Sequence, residues 1–382
     1  MRGNDPQSES DELVEEIAQR IGALGGEAGP ATEADRRELE ALAGRVLELQ
    51  VQRVEAYRRL CRTRGLDLPA AGWSRPGAWR ASPAVPARAF KEPELELWTA
   101  QPRIVFRSSG TTAGAHRRSE HHHPHPELYR RIVEASFPGA CIDQGLLCGR
   151  ERVPMLSLVP SLHDVPDSSL GFMIDHVLDR WGANDSLSAL GTGGLDADGA
   201  RAFLAEHAKS RRPVLVLSTA LALARLLDAL EERPLDHALA PGSVIFETGG
   251  FKGSERELAR DDLLERSLDR LGVPPSRIVR EYGMTELTSQ AYTRVLAGGD
   301  PDTFHAPPWL FWWLVDPSTG EPVAPRREGL IAFFDLGNVG SISHLLTEDV
   351  GRAAGDGGFE LVGRASDAEL RGCSLTAEEL LR

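Results

Sequence analysis

Long apolar runs are missing from this sequence: no stretch approaches the roughly 20 residues that cross a bilayer, so no membrane-spanning helix is expected. Positive charge is short as well. Lys and Arg number 43 against 57 Asp and Glu, a formal net charge of −14. That balance argues against a nucleic-acid binder held by phosphate contacts and against docking on an anionic membrane. Cysteine is scarce: Cys61, Cys141, Cys148 and Cys373 are widely spaced and show no metal-ligand pattern. They read as free thiols of a cytoplasmic protein. Met1 to Glu12 is acidic and polar, unlike a signal peptide, and no internal repeat is present. What remains is an ordinary globular composition, 41% hydrophobic and 26% charged over 382 residues, enough for one large domain or two smaller ones.

Hydroxyl groups and glycine concentrate in one place. After the β-branched and aromatic run Ile104 to Phe106 come Ser108, Ser109, Gly110, Thr111, Thr112, Ala113 and Gly114, followed by Arg117 and Arg118. Glycines let a backbone approach a ligand closely, and successive N–H groups beside hydroxyls make a concave anion site. The two arginines would add charge-assisted bonds to phosphate oxygens. A polar hairpin or surface turn is the plainer alternative. No Lys-Ser or Lys-Thr follows the second glycine, so the stretch is not a P-loop of the GxxxxGK[ST] type.

Around this stretch the chain divides by texture. Residues 1–30 read as a mobile N-terminus with a helical turn or two near Leu13 to Ile21. Residues 31–100 read as a helix and an extended segment packing on the body. The helix runs from an N-cap at Thr32 to a stop at Gly65, and the Pro- and Trp-bearing segment Leu68 to Ala89 follows. Residues 101–306 form the core, with short apolar strands alternating with amphipathic helices from Val153 onward. Such alternation predicts βαβ units and a mostly parallel sheet covered on both faces, with ligands bound beyond the strands' carboxyl ends. Residues 307–362 read as a small β subdomain, and 363–382 as a tail carrying Cys373. The aromatic run Trp309 to Trp313 reads as strand core, with an acyl pocket as the second reading. The run His121-His122-His123-Pro124-His125 reads as a solvated polar loop, with a single histidine near the site as the next reading. A metal site is the least supported, since adjacent histidines do not share a face and no acidic ligand is interleaved. His163 reads as a loop histidine satisfied by Asp164, with lining of an acyl site as the alternative. Cys61, Cys141 and Cys148 read as packing residues.

Tyr282-Gly283-Met284-Thr285-Glu286 is the strongest chemical signal. The ring can stack on adenine, the Thr285 hydroxyl can bond a phosphate, and Glu286 can hold Mg2+ through oxygen. The plainer alternative is a strand end entering a helix capped by Thr285. Together with Ser108 to Gly114, this motif resembles the adenylate-forming enzymes. Glu247-Thr248-Gly249-Gly250, Thr347-Glu348-Asp349-Val350-Gly351 and Gly363-Arg364-Ala365-Ser366-Asp367, with Arg371-Gly372 after it, follow that family's order across residues 105 to 375.

The resemblance implies an α/β large domain of mostly parallel sheets covered by helices, with a small β subdomain. It also implies ATP and Mg2+ as cofactors. Gly249 and Gly250 would lie along the adenine, Asp349 would bond the ribose, and Arg364 would sit at the hinge. Two departures stand out. Ala113 replaces a glycine with no Pro-Lys after it, leaving Arg117 or Arg118 in the lysine's role. The sequence also stops at Arg382, so the family's C-terminal lid, with its catalytic lysine, is expected to be absent.

The end Leu370-Arg371-Gly372-Cys373-Ser374-Leu375, with Glu-Thr-Gly-Gly-Phe-Lys-Gly at 247–253 and Val-Pro-Ser at 159–161, resembles the LuxE-type acyl-protein synthetases. That resemblance implies activation of a carboxylic acid, most readily a fatty acid, as acyl-AMP. Transfer to Cys373 as a thioester and delivery to an acyl reductase or another acyl-acceptor protein would follow. Neighbouring Arg371 would favour the thiolate. An incidental thiol in a short tail is the plainer account of Cys373. Two other functions compete: an acyl- or aryl-CoA or carrier-protein ligase with an external thiol, and a nucleotide-binding subunit without turnover.

Overall fold

The computed structural model describes residues 6–25, 31–66, 73, 77–91, 104–108, 120–249, 260–324 and 326–365. The N-terminal layer is helical. In α1 (Pro6–Leu24), Leu13, Ile17 and Ile21 recur every fourth residue and are buried. The expectation of a mobile stretch with a turn or two is therefore corrected for 6–25: this apolar stripe docks the helix. Thr32 caps α2 (Glu33–Arg53) through a capping box with Asp35. The single helix expected up to Arg64 is broken at Val54, which is extended (φ −103°, ψ 99°), and α3 (Glu55–Thr63) begins beyond it. Val54 N–H still donates to Gln50 O at 2.8 Å, and its carbonyl accepts from Arg58 N at 2.9 Å, so both backbone groups of Val54 stay paired across the break.

The Pro- and Trp-bearing segment is not a surface ribbon where it is described. Trp73 and Trp79 are buried, and Trp79 packs against Phe311, Trp313 and Phe334 at 4.5–5.8 Å between ring centroids. A short strand, β1 (Val85–Pro86), follows it.

The core starts with the antiparallel pair β2 (Ile104–Arg107) and β3 (Glu120–His123), then α4 (Pro126–Cys141) and the short α5 (Gln144–Leu147). Next come β4 (Met155–Leu158), α6 (Ser169–Trp181), β5 (Leu187–Ser188), the small hairpin of β6 (Leu190–Gly191) and β7 (Gly194–Leu195), α7 (Ala197–Ser210), β8 (Leu215–Thr219), α8 (Ala220–Glu232), β9 (Val244–Thr248), α9 (Arg260–Leu271) and β10 (Ile278–Tyr282). Strands β5-β4-β8-β9-β10 are neighbours in this order and all parallel.

Successive side chains point to opposite faces, and both faces are covered. Leu156, Val216, Ile245 and Ile278 pack on α7, α8 and α9. Met155, Leu215, Leu217, Phe246 and Val279 pack on α4 and α6. This is the α/β architecture expected from the alternation of strands and helices.

Beyond β10 the pairing turns antiparallel. β11 (Ala291–Thr293), β12 (Thr303–His305), β13 (Leu310–Val315), β14 (Glu328–Asp335), β15 (His344–Ala353) and β16 (Phe359–Arg364) extend the same sheet in the order β10-β11-β12-β16-β15-β14-β13. β1 pairs with β15. A core of Trp309, Leu310, Phe333, Phe334 and Leu345 joins these strands to the helices of the N-terminal layer.

Candidate active site

The parallel strands deliver two of the sequence motifs side by side. β9 ends on Glu247-Thr248 and β10 on Glu281-Tyr282, with Glu281 opposite Thr248 in the register. Gly249 takes φ +73°, the left-handed turn that a glycine permits after a strand end. From Gly283 to Gln290 the chain has no helix or strand and returns as β11, with Tyr282 opposite Ala291. The reading of Thr285 as a helix cap is thereby set aside. Side chains hold the turn in place of a backbone ladder. Asp335, fully buried at the end of β14, accepts from Thr288 N, Ser289 N and Ser289 Oγ at 2.7–2.9 Å.

Asp349 comes to the same place from β15. Tyr282 donates its phenol to Asp349 Oδ2 at 2.9 Å, joining the Tyr-Gly-Met-Thr-Glu and Thr-x-Asp-x-Gly motifs across 67 positions of sequence. Thr347 Oγ1 accepts from Asp349 N at 3.2 Å and donates to Ile331 O at 2.9 Å, which fixes the bend. The Tyr282 ring sits among Phe304, Phe333 and Phe359, at 5.6–6.1 Å between centroids. Arg364, opposite Asp349 in the β15–β16 register, pairs with Glu348, which also lies 3.5 Å from Arg88 Nε. Burial works against the charge of Arg364, but the Glu348 carboxylate outweighs it and raises the pKa.

The structure thus brings Gly249, Tyr282, Gly283, Thr285, Glu286, Asp349 and Arg364 onto the strand ends and the paired strands beside them. Ser108 follows β2, whose Arg107 is anchored by Glu120 at 2.7 Å and by a backbone bond to Asp167 O at 2.8 Å. Ser109, Gly110, Thr111, Thr112, Gly114, Arg117, Arg118, Gly250 and Cys373 lie outside the described residues.

Three readings need correction. The histidine run is not a solvated loop. It forms β3, where Phe106 faces His121 and Ile104 faces His123, so both rings turn inward and are buried. Burial pushes the His121 imidazole down to about 3, and neither ring nitrogen has a hydrogen-bond partner. Cys148 is exposed, with φ +49° at the end of α5, and is no packing residue; Cys61 and Cys141 are buried. His163 is exposed, and Asp164 instead accepts from Ser161 Oγ at 2.9 Å.

Glu281 is a site residue that the sequence reading passed over. It is buried at the end of β10, takes a hydrogen bond from Thr248 Oγ1, and stands near Glu247. Burial pushes its carboxyl up to about 7, with the Thr248 bond working the other way. Its place one residue before the tyrosine was the only signal available in the sequence. The unfolded carboxyl, near 4.5, ionises first as pH rises, so the folded state loses stability from about pH 4.5 through about 7. The full swing is about 3 kcal/mol. Glu281→Gln should flatten that part of the profile and raise stability at pH 8. Urea unfolding at pH 5 and pH 8 checks this, and an unchanged wild-type slope in the variant would refute it.

Among the described residues no group of three or more His, Cys, Asp or Glu could hold a metal ion alone, and no helix is long and apolar enough to cross a membrane. Glu286 is a single buried carboxylate in a turn held by its neighbours. Mg2+ takes one or two protein carboxylates and completes its shell with phosphate oxygens and water, so this donor fits a nucleotide-borne ion rather than a protein-only cage.

Residues 205–382 match the family described as acyl-protein synthetase, LuxE. The resemblance drawn from the motifs is borne out over that part, which contains Tyr282 to Glu286, Asp349, Arg364 and Cys373. Among solved structures, the chain is similar to an open conformation of 2-hydroxyisobutyryl-CoA ligase in complex with 2-HIB-AMP and CoA. Identity is 15%, over 88% of this chain and 76% of that one, with a TM-score of 0.60. It is also similar to that ligase in the postadenylation state with 2-HIB-AMP, at 14% identity over 87% and 67% of the two chains, TM-score 0.59. No curated protein matches the chain. The fold is that of the adenylate-forming ligases, as expected.

Proposed function

With an adenylate-forming fold and an acyl-protein synthetase match over residues 205–382 as premises, we propose that the protein is an acid–thiol ligase. It activates a carboxylic acid with ATP and passes the acyl group to a thiol, with its own Cys373 as acceptor. The observation that carries this reading is the Tyr282–Asp349 hydrogen bond of 2.9 Å at the ends of the parallel strands. It joins the Tyr-Gly-Met-Thr-Glu motif, whose ring can stack on adenine, to the motif to which the family resemblance assigns the ribose. The similar ligase structure in complex with 2-HIB-AMP and CoA supports the same order of steps.

In the first step a carboxylate oxygen of the acid attacks the α-phosphorus of ATP. The bond to the pyrophosphate oxygen breaks, and acyl-AMP and pyrophosphate form. Such a displacement needs positioning and charge neutralisation more than covalent help. Asp349 bonds the ribose, Gly249 and Gly250 border the adenine, and Thr285 with Ser108 to Gly114 and Arg117 or Arg118 holds the phosphates. Glu286 would hold Mg2+, which when bound neutralises phosphate charge. In the second step the Cys373 thiolate attacks the acyl carbonyl carbon, the bond to AMP breaks, and a thioester forms. The thiol proton leaves to solvent. A fatty acid is the proposed substrate, and an acyl reductase or another acyl-acceptor protein would take the product.

The test is acid-dependent ATP–pyrophosphate exchange over a panel of straight-chain, branched and aromatic acids, with intact mass measured after incubation with ATP and each active acid. Exchange with an adduct of the acyl mass is the expected result. No exchange with any acid would overturn ligase activity; exchange without an adduct would move the acceptor to an external thiol.

A further inference from the structure

A buried amide from outside the matched segment reaches the Glu286 turn. Gln50, on α2, is 1% exposed. Its Nε2 donates to Asn338 O at 2.9 Å and to Ser341 O, and lies 2.9 Å from Ser343 Oγ. Its Oε1 accepts from Ser343 N at 3.1 Å. Asn338, equally buried, donates from Nδ2 to the carbonyl of Glu286 at 2.8 Å and accepts from Thr288 Oγ1. One chain of side chains therefore runs from the N-terminal helix, through the 338–343 loop, to the backbone of Glu286.

An apolar residue at 50 would leave Ser341 O and Ser343 N without the side chain that pairs them, and Asn338 O would keep only Ser341 N and Ser343 Oγ, so the loop that carries Asn338 would lose its brace. The turn from Gly283 to Gln290 has no ladder of its own, so it takes its position from Asn338 and Asp335. Functional groups need support that holds them to a fraction of an ångström. Asp335 grips residues 288 and 289, whereas Asn338 reaches the backbone of Glu286 itself.

We propose that Gln50 is a positioning residue for the nucleotide site: through Asn338 it sets the backbone of Glu286 and so the direction of that carboxylate. The proposal rests on the reading of Glu286 as the carboxylate that holds the nucleotide's magnesium ion.

The experiment measures the rise in melting temperature of the full chain at fixed ATP as magnesium is titrated. Gln50→Met keeps the volume of the side chain, and Asn338→Asp keeps an oxygen for Thr288 while removing the donor to Glu286 O. Both should raise the half-saturating magnesium concentration at least fivefold. The double variant should go no further than the larger single effect, as residues of one network do. If Gln50→Met does not fold, Asn338→Asp decides. A lower melting temperature without ligand, with the wild-type magnesium midpoint, would mean that Gln50 only anchors the fold and would overturn the proposal. Glu286→Gln is titrated in parallel. If it too keeps the wild-type midpoint, the reading of Glu286 fails and the proposal with it. If only Glu286→Gln shifts, the proposal alone fails.

Discussion

Cys373→Ala keeps acid-dependent pyrophosphate exchange and takes up no covalent acyl label; this is the largest effect expected in the protein. The two half-reactions separate because the residues proposed for the nucleotide are anchored without Cys373. Tyr282 is bonded to Asp349, Thr347 fixes the Asp349 bend, and Asn338 holds the Glu286 carbonyl. The sequence nevertheless limits how far the thiol can be from the described strands. The described chain leaves β16 with Arg364 opposite Asp349, and Cys373 lies nine positions further on, 373 minus 364. Nine residues reach at most about 30 Å when fully extended. Under the proposed mechanism, attack of Cys373 on acyl-AMP would be intramolecular, a setting in which effective molarities are large.

The other thiols compete poorly. Burial pushes Cys61 up to about 12 and raises Cys141 too, so neither supplies thiolate near neutral pH. Exposed Cys148 is the one to control for, and Cys148→Ser should label as wild type does. The wild-type adduct should fall to neutral hydroxylamine, as a thioester does. Full labelling of Cys373→Ala, or label mapped to Cys148, would refute self-acylation and leave an external thiol as acceptor.

Glu286→Gln should lower pyrophosphate exchange at least tenfold, about 1.4 kcal/mol of transition-state stabilisation. The change removes charge and keeps shape. Because the backbone carbonyl, not the carboxylate, accepts from Asn338 at 2.8 Å, that anchor survives the substitution. In a variant shown by thermal unfolding to be folded, the lost rate should reflect lost charge neutralisation at the phosphates. A folded variant with wild-type exchange would remove Glu286 from the phosphate site.

Much of this was legible in the sequence because the signals are local. An N-cap at Thr32 and short apolar runs alternating with amphipathic helices from Val153 are patterns of single elements and their sequence neighbours. They predicted the parallel strands and the helices on both faces. The motifs were legible for the same reason: Tyr282 to Glu286 and Thr347 to Gly351 are short contiguous strings, and their order along the chain carried the family resemblance.

Only the tertiary structure decided the rest. A run of histidines is polar in composition, yet pairing with β2 turned His121 and His123 inward, because strand register, not polarity, sets which face a side chain takes. Glu281 looked like any strand carboxylate until strand packing buried it beside Glu247 and pushed it up to about 7. Gln50 gave no signal at all, since its partner Ser343 is 293 positions away and no local pattern encodes such a contact. The sequence by itself determined the alternating strands and helices of the core and the chemical vocabulary of the site. Burial, ionisation and the bracing of Glu286 were decided by which distant groups the fold brought within hydrogen-bonding distance, since desolvation and hydrogen bonding act through space and not along the chain.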